Sequence, residues 1–487
     1  MDAVSVAGEE RDRGVIETDY LVVGAGAAGM AFTDELIARS DVDVVMVDRR
    51  DRPGGHWNDA YPFVRLHQAS ANYGVNSRAL GTDSIDTTGP NAGFYELATG
   101  AEICNYYRRV LDDHLVPSGQ VRFLGMCDYV GDWSNEHTVT SRLTGTTTTI
   151  RVRRRIVDGT YLDVKVPATH APSFTVDPDA HCIPVGRLVD LAEPPTGFTV
   201  LGAGKTAMDA CTWLLQNGVD PGRIRWVRPR DVWMADRASV QPLDFLPGTM
   251  EAWALWVECL ARAESVPDLF RRLEELGALV RLDPGVEPSV FRGPILTRAE
   301  MAGLRQIERV VRHGRVRHVG ADRIVLDDAE IPTDRGEVHV DCTASGFRWA
   351  PPRPIFEPGR ITLQSLIGGF TTYNAALVGF IEAARDDDTE RNWLCPPTPQ
   401  VTLALDWVSM MRGLLRSSAR HATEPELAAW SDRSRLNLTC GLSHRMDDPR
   451  LAAAMARWAD CSEPALKNAE AFLAPPQGQV RQPAQSC

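Results

Sequence analysis

Residues 19–57 constrain the fold of this chain more than any other stretch. The apolar run 20–23, typical of a buried parallel strand, leads directly into a Gly-x-Gly-x-x-Gly turn formed by Gly24, Gly26 and Gly29. Gly24 permits a tight turn, Gly26 lets the backbone approach a pyrophosphate, and Gly29 lets the following helix pack on its strand. The N-terminus of that helix offers unpaired N–H groups to the anion.

A second strand, residues 42–47, ends at Asp48. A carboxylate at this distance from the glycine turn is suited to accept hydrogen bonds from the ribose of an adenosine. A glycine-rich turn alone would be a weak signal. The strand, turn, helix, strand and acid together predict a dinucleotide-binding unit.

The same pattern returns in the second half of the chain. Residues 198–201 predict a strand, and residues 202–207 form a second glycine turn in which we expect Gly202, Gly204, Lys205 and Thr206 to bind a cofactor. The next strand, residues 223–227, ends at Arg228 and Arg230, where an NAD site would carry an acid. Arginines there, with Lys205 as a further candidate, are suited to the 2′-phosphate of NADPH. The alternative is that they only decorate an exposed strand end.

Composition excludes several classes of function. The chain has 487 residues, enough for two or three domains, and a formal net charge of −13, which argues against binding nucleic acid. The N-terminus lacks the apolar segment of a secretory signal, and no stretch of about 18 apolar residues predicts a membrane span. Ten cysteines without a C-x-x-C pair indicate reduced thiols of a cytoplasmic protein and disfavour a metal site.

The expected fold class is α/β, with two Rossmann-like domains, a β-meander and helical insertions. Helical spacing is found at residues 102–115, and alternating β-rich pieces at 120–157 suggest an antiparallel meander. Residues 233–308 show no strand signal and contain a tryptophan-rich helix at 250–260, which is either core or a lid over a substrate channel. We expect the following division: a flexible arm, 1–17; a first domain, 18–195, ending in a proline-rich linker; a second domain, 196–340; a return segment, 341–399; a helical region, 400–473; and a disordered tail, 474–487.

Gly54, Gly55, His56 and Trp57 resemble the GG-x-W segment that lies along FAD in two-dinucleotide flavoproteins, and they carry a resemblance to class B flavin-containing monooxygenases. The segment ending at Gly346 resembles the return to the FAD domain in such proteins. Residues 368–374 precede an apolar helix, 375–384, whose N-terminus the resemblance points at the flavin, with Tyr373 and Asn374 at the cofactor. The alternative is a core helix capped by Asn374.

This resemblance implies FAD and NADPH as cofactors, and a reaction in which one oxygen atom of O2 passes through a flavin C4a-(hydro)peroxide to a small molecule. N-hydroxylation, C-hydroxylation and Baeyer–Villiger insertion all remain open. Residues 65–67 resemble the R-L-H stretch of one branch of the family, which makes Gln68 the expected donor to the peroxide and Arg65 its companion. Both side chains are alternatively explained as loop stabilisers.

The sequence departs from the family pattern at two places, and these departures bear on the identity of the substrate more than on that of the cofactors. The F-x-G-x-x-x-H motif of the monooxygenase branches is absent, and the return motif reads Thr-Ala-Ser-Gly. Two other functions therefore stay open: an NADPH oxidoreductase or oxidase that inserts no oxygen, and a non-catalytic protein that binds dinucleotides and senses redox state. The sequence leaves the substrate and the oligomeric state undetermined.

Overall fold

The computed structural model describes residues 14–133 and 137–474. The predicted class, α/β with two Rossmann-like domains, is confirmed, because two separate parallel sheets each carry a glycine turn followed by a helix. Most of the predicted arm and tail lies outside the described residues. Within the described part of the chain, no helix is long and apolar enough to cross a membrane.

The first domain is built on a mainly parallel sheet. Its elements are β1 (Val15–Val23), α1 (Ala27–Ile37), β2 (Val44–Val47), α2 (Gly100–Val110), β3 (Val121–Leu124), β4 (Cys127–Val130), β5 (His137–Ser141) and β6 (Thr147–Asp158). Strands β1, β2, β3 and β6 run parallel, and β4 and β5 form an antiparallel extension of β6. The predicted helix at 102–115 corresponds to α2 and the π-turn Leu111–Leu115 that continues it.

Two predictions in this domain were wrong in part. The first strand of the expected meander, β3, pairs parallel with β2, with Val121 opposite Val44, and so belongs to the dinucleotide-binding sheet. The sequence of a short apolar strand does not reveal which neighbour it pairs with. The expected flexible arm reached residue 17, whereas β1 begins at Val15 and pairs with β6 from there onward.

The second domain contains three small sheets. Its elements are β7 (Thr175–Val176), β8 (Cys182–Pro184), β9 (Gly197–Leu201), α3 (Lys205–Gln216), β10 (Ile224–Val227), β11 (Val232–Asp236), α4 (Leu246–Arg262), α5 (Val266–Glu275), β12 (Leu279–Val280), β13 (Val290–Leu296), α6 (Arg298–Leu304), β14 (Arg309–Val311), β15 (Val316–Val319), β16 (Arg323–Leu326), β17 (Glu330–Pro332) and β18 (Glu337–Asp341). The five-stranded parallel sheet has the order β14-β10-β9-β18-β8.

Two more predictions need correction here. The first domain was expected to end at residue 195, but β7 and β8, within the supposed linker, pair with β15 and β18 of the second domain. Residues 233–308 were expected to lack strands, but β11, β12 and β13 form a three-stranded sheet. Strand β12 has only two residues and β13 carries glycine and proline, which weakens the alternation on which strand prediction depends.

The chain then returns to the first domain and ends in helices. The elements are β19 (Phe356–Glu357), β20 (Arg360–Thr362), α7 (Thr371–Ala384), α8 (Asp388–Leu394), α9 (Ala404–Ala422), α10 (Pro425–Arg433) and α11 (Pro449–Leu473). Strand β20 adds to the first sheet beside β6, as predicted for the return segment. Helix α7 packs against α1 at Gly379, where a Cβ atom would lie 2.8 Å from the carbonyl oxygen of Phe32. Helices α9 and α11 share a buried core with α4 and α5 and form a helical layer on the second domain, whereas α10 packs on the first domain through Leu427 and Trp430.

Candidate functional site: two glycine turns and the loop between them

The first glycine turn has the backbone geometry that its sequence predicts. Gly24 has a φ of +99°, a region that other L-residues avoid. A Cβ atom at Gly29 would collide with the carbonyl oxygen of Gly24, so only glycine allows α1 to begin this close to β1. At Gly26 a Cβ atom would lie 3.6 Å from the Cα atom of Gly55. The turn and the following Gly-Gly segment therefore face each other at short range.

Asp48 lies at the end of β2, as predicted, and its side chain is buried. One carboxylate oxygen accepts a hydrogen bond of 2.8 Å from the backbone N–H of Ala25, within the glycine turn. The other oxygen accepts a bond of the same length from the N–H of Arg50. The carboxylate thus links the strand end to the turn and holds a negative charge beside it.

The Gly-Gly-His-Trp segment forms a 3-10 turn, Gly55–Asp59, after Gly54, whose φ is +113°. Trp57 donates a hydrogen bond of 2.7 Å from its indole N–H to the hydroxyl of Tyr73. Burial, reinforced by the charge of Arg50, lowers the pKa of His56 to about 4. His56 is therefore neutral at physiological pH beside the first turn.

The second glycine turn is more open than the first. Gly202 has a φ of +126°, and a Cβ atom there would lie 2.8 Å from the carbonyl oxygen of Cys342. In contrast, no atom of the described chain lies within 4 Å of the position that a Cβ at Gly204 would take. Lys205 begins α3 and forms an ion pair with Asp209 one turn later. Lys205 therefore lies at the N-terminus of α3, and its carboxylate partner is Asp209.

The two arginines predicted after β10 have different environments. Arg228 is buried, with its guanidinium 4.9 Å from the centre of the Trp226 ring and 3.4 Å from Asp231, and its Nε donates to no acceptor in the described chain. Burial lowers its pKa. Arg230 is exposed.

Arg292 lies close enough to Arg230 and to Arg315 for their charges to interact, and we call these three residues the arginine patch. Partial desolvation, followed by the charges of Arg230 and Arg315, lowers the pKa of Arg292. Arg315 lies beside Asp327. Arg230 and Arg292 form no ion pair with a carboxylate among the described residues.

Gln68 and Arg65 make contacts within their own loop. Gln68 is half-buried and donates a hydrogen bond of 3.0 Å from its side-chain amide to the carbonyl oxygen of Asn72. Arg65 is exposed and donates to the carbonyl oxygen of Leu97 at 2.9 Å. These are the bonds expected from loop stabilisers, and the catalytic roles predicted for both residues stay predictions.

The return segment brings three further predicted residues to the first domain. Gly346 has a φ of +71° and accepts a backbone hydrogen bond from Lys165. Helix α7 begins at Thr371 rather than at residue 375, so Asn374 lies within its first turn and does not cap it. Asn374 instead bonds through its side chain to the backbone N–H and carbonyl of Ile367, and Tyr373 stacks on Trp430.

Sequence reasoning assigned no separate role to Tyr61, Phe63 or His67, which contact the second domain. In the loop of residues 61–67, which we call the docking loop, Tyr61 donates a hydrogen bond of 2.7 Å to Asp209 of α3, and Phe63 stacks on Trp213 at 4.8 Å. The half-buried imidazole of His67 faces Lys205, Arg237 and Glu300 of the second domain. Burial and the nearby cations lower its pKa to about 3. The aromatic side chains of this loop are the sequence feature that could have indicated an interface.

Comparison with known proteins places the chain in a family. It is 44% identical over 428 residues to the uncharacterized protein Rv2000 of Mycobacterium tuberculosis, a match that covers 88% of this chain and 79% of that protein. The uncharacterized protein Mb2023 of Mycobacterium bovis matches to the same extent. The chain belongs to the family of these mycobacterial proteins. Residues 22–79, which include the first glycine turn, match the family of NAD(P)-binding Rossmann-like domains, and this confirms the predicted nucleotide-binding unit.

Several solved structures resemble the chain at low sequence identity. OTEMO in complex with FAD and NADP is 17% identical, with a TM-score of 0.48 over 75% of this chain and 83% of that one. A flavin-containing monooxygenase from Stenotrophomonas maltophilia is 13% identical, with a TM-score of 0.42 over 76% of this chain and 98% of that one. The bacillithiol disulfide reductase Bdr of Bacillus cereus is 11% identical, with a TM-score of 0.45 over 76% of this chain and 100% of that one.

Proposed function

We propose that this chain is an FAD- and NADPH-dependent monooxygenase that acts on a small molecule. The observation that carries the proposal is the joining of two glycine turns, one on each parallel sheet, by the docking loop. Tyr61, which follows the first turn and its Gly-Gly segment, bonds to Asp209 at the start of the helix that follows the second turn. Two dinucleotides held in this way would have their reactive rings near the boundary between the domains.

The first turn suits FAD. The close approach of Gly26 and Gly55 provides a backbone cradle that side chains would fill, and the N-terminus of α1 offers N–H groups to a pyrophosphate. Asp48 lies at the strand end where an adenosine ribose would bind. His56 and Trp57 continue from this cradle toward Tyr73, along the line expected for the flavin. Gly346, Tyr373 and Asn374 complete the proposed FAD-binding set.

The second turn suits NADPH. The open space at Gly204 leaves room for a pyrophosphate, and Thr206 and Lys205 stand at the N-terminus of α3. Since Arg228 is buried against Trp226, we assign the 2′-phosphate to Arg230 and Arg292, whose charges lack a carboxylate partner within the described chain. An anionic ligand would relieve the repulsion between them.

A bound flavin would supply the redox chemistry, because flavins can take a hydride from NADPH and pass electrons to O2. The docking loop would hold the two dinucleotide sites next to each other through the contacts of Tyr61 and Phe63 with α3. Oxygen insertion is preferred to disulfide reduction because the sequence has no C-x-x-C pair to receive electrons. We propose that the side-chain amide of Gln68, which directly follows the docking loop, hydrogen-bonds the reacting oxygen. We propose that Arg65 holds this loop in place through its bond to Leu97.

The test is substrate-dependent NADPH oxidation by the purified, flavin-loaded protein, with products of an amine, amino-acid and ketone panel identified by mass spectrometry. Incorporation of one oxygen atom from labelled O2 supports the proposal. NADPH oxidation with hydrogen peroxide as the sole product would instead identify an oxidase. A protein that binds both dinucleotides but oxidises no NADPH would be a redox sensor.

A further inference from the structure

One face of the five-stranded sheet in the second domain is polar toward the N-terminal ends of its strands. Strands of a buried parallel sheet are normally apolar on both faces. The face toward α3 and α6 follows this rule, with Phe198, Val200 and Trp226 in the core. On the opposite face, where side chains alternate with these, four polar residues are found: Thr199 of β9, Arg225 of β10, and Glu337 and His339 of β18.

A cavity of about 240 Å³ lies over this part of the sheet. It is lined by residues near the start of β9, β10, β14 and β18, and by residues 332–334. Apart from Gly197 and Pro332, every residue of the lining has a polar or charged side chain. We call this space the polar cavity. A ligand that entered it would meet charged groups rather than an apolar surface.

Two arginines of the polar cavity are brought together by the register of the sheet. Arg225 of β10 and Arg309 of β14 are direct partners on neighbouring strands, and like charges in such a pair destabilise a sheet. Within the described chain, Arg225 donates a hydrogen bond only to the carbonyl oxygen of Pro332, at 2.7 Å. Arg309 donates only to that of Gly222, at 3.2 Å. The other N–H groups of both guanidinium groups are therefore free for a ligand.

Glu337 compensates these charges only in part. Its buried carboxylate accepts hydrogen bonds from the hydroxyls of Thr199, at 2.5 Å, and Thr333, at 2.8 Å. The guanidinium of Arg225 stays 3.8 Å away from it. Burial lowers the pKa of Arg225, the charge of Glu337 opposes this shift, and the charge of Arg309 adds to it. An anion between the two arginines would reduce their repulsion.

Asp334 adds an acceptor to the same cavity. One of its oxygens accepts hydrogen bonds from the hydroxyl of Thr196, at 3.0 Å, and from the N–H of Gly336, at 2.8 Å. The other oxygen accepts none within the described chain, and the residue is exposed. The polar cavity thus offers two cationic donors together with one free carboxylate oxygen. Such an oxygen repels a fully ionised anion but accepts a hydrogen bond from an anion that still carries a proton.

We propose that the polar cavity binds a phosphate group that retains a proton, either inorganic phosphate or a phosphate monoester. Arg225 and Arg309 donate to its oxygens, and its P–OH group donates to the free oxygen of Asp334. Sulfate has the same shape, but it carries no proton at neutral pH and would set an oxygen against that carboxylate. The second glycine turn follows the C-terminus of β9, whereas the cavity lies at the opposite ends of the strands, so the site is independent of the proposed function.

Equilibrium dialysis of radiolabelled inorganic phosphate against the purified full chain, at neutral pH, measures this binding directly. Arg225→Gln and Arg309→Gln each remove one cationic donor, and Arg309→Lys keeps the charge. Arg187→Gln, at an exposed arginine, is the matched control, and Arg292→Gln tests whether phosphate binds at the arginine patch instead. Sulfate and glycerol 3-phosphate serve as competitors. Circular dichroism of each variant separates loss of binding from loss of folding.

We expect the wild type to bind one phosphate per chain. Arg225→Gln and Arg309→Gln should each weaken binding roughly tenfold to a hundredfold, the value of one charge-assisted hydrogen bond. Arg309→Lys should lose less, and Arg187→Gln nothing. Sulfate should compete at least about tenfold less well than phosphate in the wild type, and about equally well in Asp334→Asn, whose amide can donate to it. Competition by glycerol 3-phosphate would extend the ligand to monoesters; without it, the ligand is inorganic phosphate.

Three results would overturn the inference. The first is a wild-type chain that binds no phosphate. The second is loss of binding in Arg292→Gln together with wild-type affinity in Arg225→Gln and Arg309→Gln, which would place the phosphate at the arginine patch. The third is sulfate that binds the wild type as tightly as phosphate does, because Asp334 would then not select an anion that carries a proton.

Discussion

The phenol of Tyr61 donates a hydrogen bond of 2.7 Å to the carboxylate of Asp209, which also forms the ion pair with Lys205. Tyr61 belongs to the first domain and the other two residues to the second. Burial and the Asp209 charge raise the pKa of Tyr61, so its hydroxyl remains a donor at every physiological pH. One carboxylate therefore positions both the docking loop and the lysine at the second glycine turn.

Tyr61→Phe should weaken NADPH binding while leaving the flavin in place. A hydrogen bond to a charged group contributes about 1.5–3 kcal/mol, and its loss frees Asp209 to pull Lys205 away from the pyrophosphate end. We expect KM for NADPH to rise about tenfold or more, and the flavin absorbance per protein to stay at the wild-type value. Tyr129→Phe, which removes a 3.1 Å contact with His137 in the β-meander, is the control and should change neither quantity. An unchanged KM in Tyr61→Phe would contradict the coupling.

Gly26→Val should give a folded protein without flavin. The backbone at Gly26, with φ −77° and ψ −178°, accepts any residue, and its Cβ would meet only Gly55 at 3.6 Å. The added side chain therefore costs little folding energy but fills the cradle between the two segments. Gly303→Val, in α6 and facing open space, is the comparison and should keep its flavin. Full flavin absorbance in Gly26→Val would show that this turn does not hold FAD.

Local patterns in the sequence were enough to predict both glycine turns, the strands and helices around them, and Asp48. Those features depend on residues next to each other in the chain, such as Gly24 and Gly29, whose spacing is set by backbone geometry. A helical region at 400–473 was also predicted from local spacing, and the structure has α9, α10 and α11 there.

Contacts between segments that are distant in the sequence could not be predicted from local patterns. The pairing of β8 with β18 and the packing of α11 along α4 join residues more than 150 positions apart. The three arginines of the patch come from separate parts of the chain: Arg230 follows β10, Arg292 lies in β13 and Arg315 precedes β15. Of these, only Arg230 was predicted to bind the 2′-phosphate, because it follows a predicted strand. His67 was part of the R-L-H stretch, but its position opposite Lys205 and Arg237 depends on how the docking loop meets the second domain.

The arginine patch predicts the cofactor preference. Removing Arg230 or Arg292 should lower kcat/KM for NADPH about tenfold and leave that for NADH unchanged, because only NADPH carries the 2′-phosphate. Arg187→Ala, at an arginine with 67% of its side chain exposed, controls for loss of surface charge. If the ratio of the two kcat/KM values stays constant in both Arg230→Ala and Arg292→Ala, the assignment of the 2′-phosphate is wrong.

His67 should make the folded protein sensitive to acid. Its pKa is about 3 when folded and 6.5 ordinarily, so the unfolded chain binds a proton over the interval between these values while the folded protein does not. Stability therefore falls as the pH falls from about 6.5 toward 3, by at most about 1.4 kcal/mol per pH unit from this residue. The groups that face it are Lys205, Arg237 and Glu300.

Denaturant unfolding of His67→Gln at a series of pH values measures this contribution. The loss of stability between pH 6.5 and pH 4 should be smaller than in the wild type, whereas His444→Gln, at a side chain 83% exposed, should follow the wild-type curve. The His67 environment would differ from the one described if wild type and His67→Gln lost stability in parallel.

Gln68→Ala tests whether the chain is a monooxygenase. It also tests whether Gln68 stabilises the reacting oxygen or only holds its loop in place. The amide of Gln68 bonds to the carbonyl oxygen of Asn72, and the proposal requires that it also stabilise the reacting oxygen. Without that donor, NADPH oxidation should continue at a rate near that of the wild type, while hydrogen peroxide increases at the expense of oxygenated product.

Gln120→Ala is a close control, because Gln120 is also half-buried and donates through its side chain to backbone carbonyls of the first domain, at 2.8 and 3.3 Å. Loss of flavin from Gln68→Ala but not from Gln120→Ala would show that the glutamine only holds its loop. A normal product yield in a flavin-loaded Gln68→Ala would leave oxygen insertion intact and assign the stabilising donor to another residue.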